Sequence, residues 1–277
     1  MTLRGSISSA LFVLLAAAGA AQAQIPQQDA WRVLETGTAS TNTSQRAVAV
    51  RVLGLIPGDA QAIEKAESAL QDKEEDVRAA GAAALGKMGS KNSAAKLHEL
   101  LKDPEVSVVM AAAQALKSLG DPRAYEVYYA ILTGERKTGE GLMDQQKKML
   151  HDPKKMAQYG IEAGIGFVPF GGVALGAFKM ARKDDISPVR AGAAGALSSD
   201  PDPRSGQALV AAASDKSEIV RAAALDSIAV RNDSSLIPAI VPMMKDEKDV
   251  VRYTAAAAVI RLSNIGGPTA AVTGFRP

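Results

Sequence analysis

From residue 45 onward the apolar and polar positions fall into a pattern that repeats along the chain. Five stretches align: Asp76-VRAAGAAALGKMG, Ser107-VVMAAAQALKSLG, Pro188-VRAGAAGALSSD, Ile219-VRAAALDSIAV and Val250-VRYTAAAAVIRL. Their second residues, Val77, Val108, Val189, Val220 and Val251, are spaced by 31, 81, 31 and 31. Asp72, Asp103, Asp184, Asp215 and Asp246 stand five residues before each valine and keep the same spacing. An upstream copy, Gln45-RAVAVRVLG, precedes them by 32. Two independent markers agree that the long step is one period of 31 plus an insertion of 50 residues. A fixed period of this size marks a repeat architecture.

Each period reads as two helices. Val77, Gly81, Ala84, Leu85 and Met88 share one face at helical spacing, Gly89-Ser-Lys-Asn breaks the chain, and Ala94, Leu97, Leu100 and Leu101 mark a second helix. Asp103-Pro104 reads as the next helix start, since a carboxylate caps free N–H groups and proline suits the first helical position. Neither helix buries its stripe alone, so the pairs are expected to stack into an all-α superhelix, an α-solenoid with one continuous core. Removing the 50 extra residues restores the phase of both markers, which predicts that the third and fourth units pack directly on each other.

The layout D-x(4)-V-R-x-A-A-x-x-A-L-G resembles the HEAT repeat, and more narrowly the short HEAT-like repeats of phycobilisome lyases, over about residues 44–133 and 184–263. Arg78, Arg190, Arg221 and Arg252 occupy its arginine position, and Val109 departs from it. The resemblance implies that this arginine bonds to aspartates of adjacent units. Asp72, Asp103, Asp184, Asp215 and Asp246 would then form an internal ladder with Arg78, Arg190, Arg221 and Arg252. A basic stripe for acidic ligands is the functional alternative. Asp29-AWRVLETG reads as an N-terminal capping helix with Trp31 in the core, because end repeats must close the hydrophobic stack.

The residues before the repeats carry a targeting pattern. Arg4, the apolar run Ala10–Ala18 and the small-x-small triplet at Ala21 and Ala23 read as a signal peptide cleaved after Ala23, which implies a periplasmic or extracellular protein. The chain from Gln24 then holds 31 basic and 30 acidic residues, a balance that gives no general electrostatic footprint for nucleic acid. Without cysteine, stability must come from packing.

Chemistry is sparse. His98 and His151 have no second His or Cys at ligand spacing, and no nucleophile elbow, P-loop or dinucleotide fingerprint occurs. The HEAT-like family includes deoxyhypusine hydroxylases, whose di-iron site uses several His-Glu pairs; this chain has the single pair His98-Glu99, read as a surface pair. No catalytic residue, metal or cofactor is therefore expected.

The insertion, residues 134–183, is different in character. Leu142, Gln146, Met149 and Leu150 suggest a short amphipathic helix, and AGIGFVPFGGVALGAF (163–178) follows it without a charge. Pro169 and Gly171-Gly172 break the apolar part into two arms, and Gly160/Gly164 and Gly172/Gly176 give small residues at four-residue spacing, so the reading is a Gly-rich hairpin. Of the ten aromatics after residue 23, Tyr125, Tyr128, Tyr129, Tyr159, Phe167, Phe170 and Phe178 lie within this part of the chain. Aromatics dominate interface energetics, so these seven form the expected partner-binding surface. Two other readings stand beside it: a local core, and peripheral membrane contact through residues 156–182, flanked by Lys147, Lys148, Lys154 and Lys155.

The expected organisation is a signal peptide (1–23), N-terminal HEAT-like repeats with a capping helix (24–133), the insertion (134–183), C-terminal repeats (184–265) and an aperiodic tail (266–277). The expected function is a non-catalytic exported scaffold binding protein partners. An enzyme of the bilin-lyase or hydroxylase kind and a membrane-associated protein are the alternatives.

Overall fold

The computed structural model describes residues 26–133 and 186–266. Residues 1–25 with the expected signal peptide, the insertion with Tyr159, Phe167, Phe170 and Phe178, Asp184 and the tail beyond Gly266 lie outside the described residues.

Twelve α-helices make up the described chain, with short 3-10 turns between them. They are α1 (residues 26–38), α2 (Thr43–Val52), α3 (Ala60–Ala69), α4 (Glu75–Met88), α5 (Ala94–Leu100), α6 (Val106–Ser118), α7 (Ala124–Leu132), α8 (Ser187–Ala196), α9 (Pro203–Ala212), α10 (Glu218–Arg231), α11 (Ile237–Ile240) and α12 (Asp249–Gly266). Unit 1 pairs α2 with α3, unit 2 α4 with α5, unit 3 α6 with α7, unit 4 α8 with α9, and unit 5 α10 with α11. Left-handed residues end several first helices: Gly89 at φ 70° after α4, Gly120 at φ 80° beyond α6 and Asn232 at φ 58° after α10. The starts lie later than Asp-Pro suggested. The helix after Asp103-Pro104 begins at Val106, and Asp103 instead accepts the backbone N–H of Glu105 at 2.9 Å.

Small residues set how closely the units stack. A Cβ built on Gly86 of α4 would lie 2.7 Å from Ala115 Cα of α6, and one on Gly81 would lie 2.8 Å from the Ala66 carbonyl oxygen. Glycine and alanine at these positions let neighbouring backbones approach to contact.

The order of stacking departs from the order of the chain. Helix α2 packs on α4 and α4 on α6; α8 packs on α10 and α10 on α12. The two runs are joined by α12 packing on α2, not by α6 on α8. The row therefore reads α8, α10, α12, α2, α4, α6, with units 4 and 3 at its two ends. The direct packing of units 3 and 4 predicted by the restored phase is not what forms. Phase fixes how far apart equivalent residues lie along the chain; it does not fix which pair of ends meets. The surface of α12 settles that. Val251, Ala255, Ala256, Ala257, Ala258, Val259, Ile260 and Leu262 are all fully buried, and a helix apolar on all sides must have neighbours on all sides.

Helix α1 has a matching role. Instead of capping an outer end, it lies antiparallel against α12. Gln27 Nε2 near its start donates to Asn264 Oδ1 near the end of α12 at 2.7 Å. Near its other end, a Cβ on Gly37 would come within 2.7 Å of both the Tyr253 ring and Ala49 Cβ. The last helix and the first thus make one helical pair, unit 6, without a covalent link between them. Ala30 and Leu34 are buried in this pair, and Trp31 packs against the same core cluster. Further bonds cross the joint: Arg261 Nη1 to the Leu55 carbonyl at 3.1 Å and Asn264 Nδ2 to Asp59 Oδ2 at 3.0 Å. The row also curves tightly, since Lys87 of unit 2 reaches Asp226 of unit 5 at 3.0 Å.

Candidate functional site

Arginines at the start of the first helices bind the next unit along the row. Arg78 Nε and Nη2 donate to Asp103 Oδ2 and Oδ1 at 2.8 and 2.9 Å, and Arg221 does the same to Asp246 at 2.9 and 3.0 Å. Arg46, which the sequence reading did not single out, forms an equal rung with Asp72 at 2.8 and 3.0 Å. Its position in the upstream copy, aligned with Arg78, was the available signal. In each rung the remaining nitrogen, Nη1, donates to the carbonyl six residues earlier: Ser40, Asp72 and Asp215. The Asp72 carboxyl is held below its usual range by the Arg46 guanidinium, and Arg46 and Arg78 are pushed up by their carboxylate partners.

The other ladder positions differ with their place in the row. Arg190 in α8, at one end, pairs with Asp215 while 42% of its side chain stays exposed. Asp215 lies below the ordinary carboxyl range chiefly because it accepts the backbone N–H of Ser217. Val109, where the repeat elsewhere has arginine, packs with Ala113 and Val127 inside unit 3. Among the described residues unit 3 ends the row, and no described aspartate follows it to receive an arginine. Among the described residues Arg252 pairs with Asp249 of its own helix and with no aspartate of a neighbouring unit.

Because the forks of Arg46, Arg78 and Arg221 are filled by aspartates, they are not a basic stripe open to ligands. We expect Arg221→Ala to cost about 1–3 kcal/mol in urea unfolding, since it strands a largely buried carboxylate. Arg190→Ala should cost a similar amount, since the carboxylate it strands, Asp215, is 8% exposed against 11% for Asp246. No loss at either site would contradict this account.

The two ends of the row are apolar and bare. At one end Val189 is 46% exposed, whereas its counterparts Val77, Val108, Val220 and Val251 are at 0 to 1%. Ile186 beside it is 63% exposed. At the other end α7 exposes Tyr125 (49%), Tyr129 (66%) and Leu132 (84%). Tyr128 is turned inward: its ring meets that of Tyr125 edge-on at 6.5 Å, its hydroxyl lies 3.2 Å from Gln114 Oε1, and burial pushes its pKa up. The three tyrosines singled out from the sequence therefore divide into two surface groups and one packing group.

His98 is turned toward unit 3 rather than toward Glu99. Its Nε2 lies 2.9 Å from Asp121 Oδ2 at an angle outside hydrogen-bond geometry. Asp121 is depressed chiefly by Arg123. Among the described residues no group of three or more His, Asp or Glu is placed to hold a metal ion. No described helix is long and apolar enough to cross a membrane.

This arrangement, paired helices stacked through a shared core with an arginine–aspartate rung between units, can be set beside known proteins. The HEAT-repeat family matches residues 31–117, 63–136 and 206–272, over half of the chain. The chain belongs to the HEAT-repeat family. Among solved structures, this HEAT-repeat chain is similar to human deoxyhypusine hydroxylase in complex with glycerol, at 16% identity over 87% of this chain and 98% of that one, with a TM-score of 0.33. It is also similar to the complex of CpcE and CpcF of phycocyanin lyase from Nostoc sp., at 20% identity over 82% and 93% of the two chains, with a TM-score of 0.32. A designed armadillo repeat protein matches at 17% identity over 83% and 98%, with a TM-score of 0.26. No curated protein matches the chain. These likenesses are of overall helical-repeat form, and no catalytic residue is carried across by them.

Proposed function

We propose that this HEAT-repeat protein is an exported, non-catalytic scaffold that binds protein partners at the end of the row formed by unit 3. The observation that carries the reading is the exposure of Tyr125, Tyr129 and Leu132 together on α7. Large aromatics with a polar tip contribute contact area at little entropic cost, and solenoid ends normally carry a polar outer face. An end that is aromatic instead is suited to a partner. Tyr159, Phe167, Phe170 and Phe178 follow in the same stretch of sequence and belong to the same expected partner-binding set. The sequence carries no nucleophile, phosphate or dinucleotide motif, which supports a binding role, and its N-terminal pattern supports export.

A photo-crosslinking residue placed at Tyr129, in cells of the native source, tests the surface against the same residue placed at the exposed Glu64 of α3. Discrete adducts at 129 and none at 64 are expected, and Tyr125→Ser with Leu132→Ser should remove them. Adducts at 64 alone would move the surface to the second helices of the units. Mass spectrometry of the purified envelope form should find Gln24 at its N-terminus; an uncleaved chain would remove the export part of the reading. Stoichiometric iron or a visible chromophore in that preparation would favour an enzyme.

A further inference from the structure

The joint between the first and last helices lacks one rung of the ladder, and we propose that the space left there is a binding site for a carboxylate ligand, with Arg252 as its bidentate donor.

Arg252 is set up as the other ladder arginines are. Its Nη1 donates to the Asp246 carbonyl six residues earlier at 2.7 Å, as Arg221 does to Asp215 at 2.9 Å and Arg78 to Asp72 at 3.0 Å. In those rungs Nε and Nη2 are then filled by the aspartate of the next loop in the row. The next loop after Arg252 is the one between α1 and α2, and the residue at the aspartate position is Ser40. The assignment of Ser40 rests on two bonds. Its carbonyl accepts Arg46 Nη1 at 2.7 Å, as those of Asp72 and Asp215 accept their arginines. Its Oγ accepts the N–H of Asn42, two residues on, at 3.2 Å, where Asp72, Asp103 and Asp215 each accept the corresponding N–H at 2.9 Å. Ser40 reproduces the aspartate's loop contacts and omits its carboxylate.

The volume this leaves is open. A groove of about 680 Å³ lies at the joint, lined by Ser40 and Arg252 together with Arg32, Thr36, Gln45 and Tyr253. The guanidinium of Arg252 stands over the Tyr253 ring, 5.0 Å from its centroid, which fixes its plane. Nη2 turns to Asp249, in the first turn of its own helix. Asp249 is a substitute partner, because units 2 and 5 carry Glu75 and Glu218 at the same position while their arginines face the next unit's aspartate. An incoming carboxylate releases Asp249 to the α12 N-terminus, where the exposed N–H groups favour a negative charge. It then meets Nε and Nη2 in the planar fork that matches two oxygens, with the Thr36 hydroxyl, the Gln45 amide and Arg32 around it. The ligand class is a carboxylate on a chain narrow enough for the groove: an acidic side chain or C-terminus of a peptide, or a small dicarboxylic acid. The site is independent of the α7 surface, which lies at the end of the row.

Two substitutions test it from opposite sides. Ser40→Asp supplies the missing carboxylate from within, and Arg252→Gln removes the fork. Calorimetric titration of the chain from Gln24 would use three probes at matched ionic strength: succinate, an acidic hexapeptide with a free C-terminus, and sulfate. We expect the wild-type chain to bind succinate or the peptide. Both variants should bind at least tenfold more weakly, and the ligand-free Ser40→Asp protein should melt above wild type. Equal binding of succinate and peptide makes the carboxylate itself the determinant. Binding of the peptide alone assigns a peptide ligand, and its loss on C-terminal amidation then selects the terminus over the side chains. The proposal fails if the wild-type chain shows no binding beyond that of sulfate, or if Ser40→Asp binds as wild type does.

Discussion

A single cut between units 3 and 4 should leave one particle of unchanged size. The cut is best made at a protease site in a polar linker inserted after Thr133. Its two products hold each other through the pairs α12–α2 and α12–α1, with Ala255 to Ile260 buried on one side of the joint and Ala30, Leu34, Ala49, Val52 and Leu53 on the other. Gln27–Asn264, Arg261–Leu55 and Lys87–Asp226 span the same joint. An interface that resembles a domain core cut in half holds without a covalent link. Light scattering after cleavage should report the intact mass, and separation should need denaturant. Deleting residues 135–183 should do the reverse. It leaves Gly134, Asp184 and Asp185 between Thr133 and Ile186, a link that spans at most about 14 Å. Thr133 and Ile186 belong to the two end units of a row with four units between them. We therefore expect the link to be too short for the chain to close on itself as a monomer, and exchange of halves between two chains restores every contact. A dimer is the expected product. A shortened monomer with an unchanged melting temperature would show that units 3 and 4 pack directly after all.

An aspartate at one repeat position should be ruinous in unit 6 and harmless in unit 4. Ala255 and Ala193 each stand four residues after the repeat valine. Ala255 is fully buried in α12, packed from both sides, and a carboxylate there has no partner. Ala193 lies on the bare face of α8, in solvent. We expect Ala255→Asp to cost about 4 kcal/mol or more, enough to unfold a protein of ordinary stability. Ala193→Asp should stay within about 0.5 kcal/mol. Urea unfolding of both variants measures the contrast. If the two were alike, or Ala193→Asp the worse, α12 would not be the centre of the row.

Parts of this were legible in the chain. Helices of two kinds, their period and the arginine–aspartate rungs follow from contacts close in sequence or one repeat apart, and these leave a periodic trace. The signs of the altered order were present as well. Val109 replaces an arginine where the row ends, and YTAAAAVI lacks the polar face that a terminal helix needs. Each was a departure from a pattern, and a departure acquires meaning only once the neighbours are known. The division of the tyrosines was less accessible, since Tyr125, Tyr128 and Tyr129 share one helix and only the position of α6 turns Tyr128 inward.

The sequence by itself determined the unit: two helices, Ala-rich faces that allow close approach, and a carboxylate 25 or 26 residues beyond Arg46, Arg78, Arg190 and Arg221. These depend on the 3.6-residue turn and on residue size, which act locally. The tertiary structure decided the order of the units. Equal repeats offer nearly equal faces to one another, so phase is satisfied by more than one arrangement. The choice falls to the arrangement that buries α12 on every side, places α1 beside it and leaves α8 and α7 at the ends. That choice also made Ser40, an unremarked loop residue, the neighbour of an arginine more than two hundred positions away.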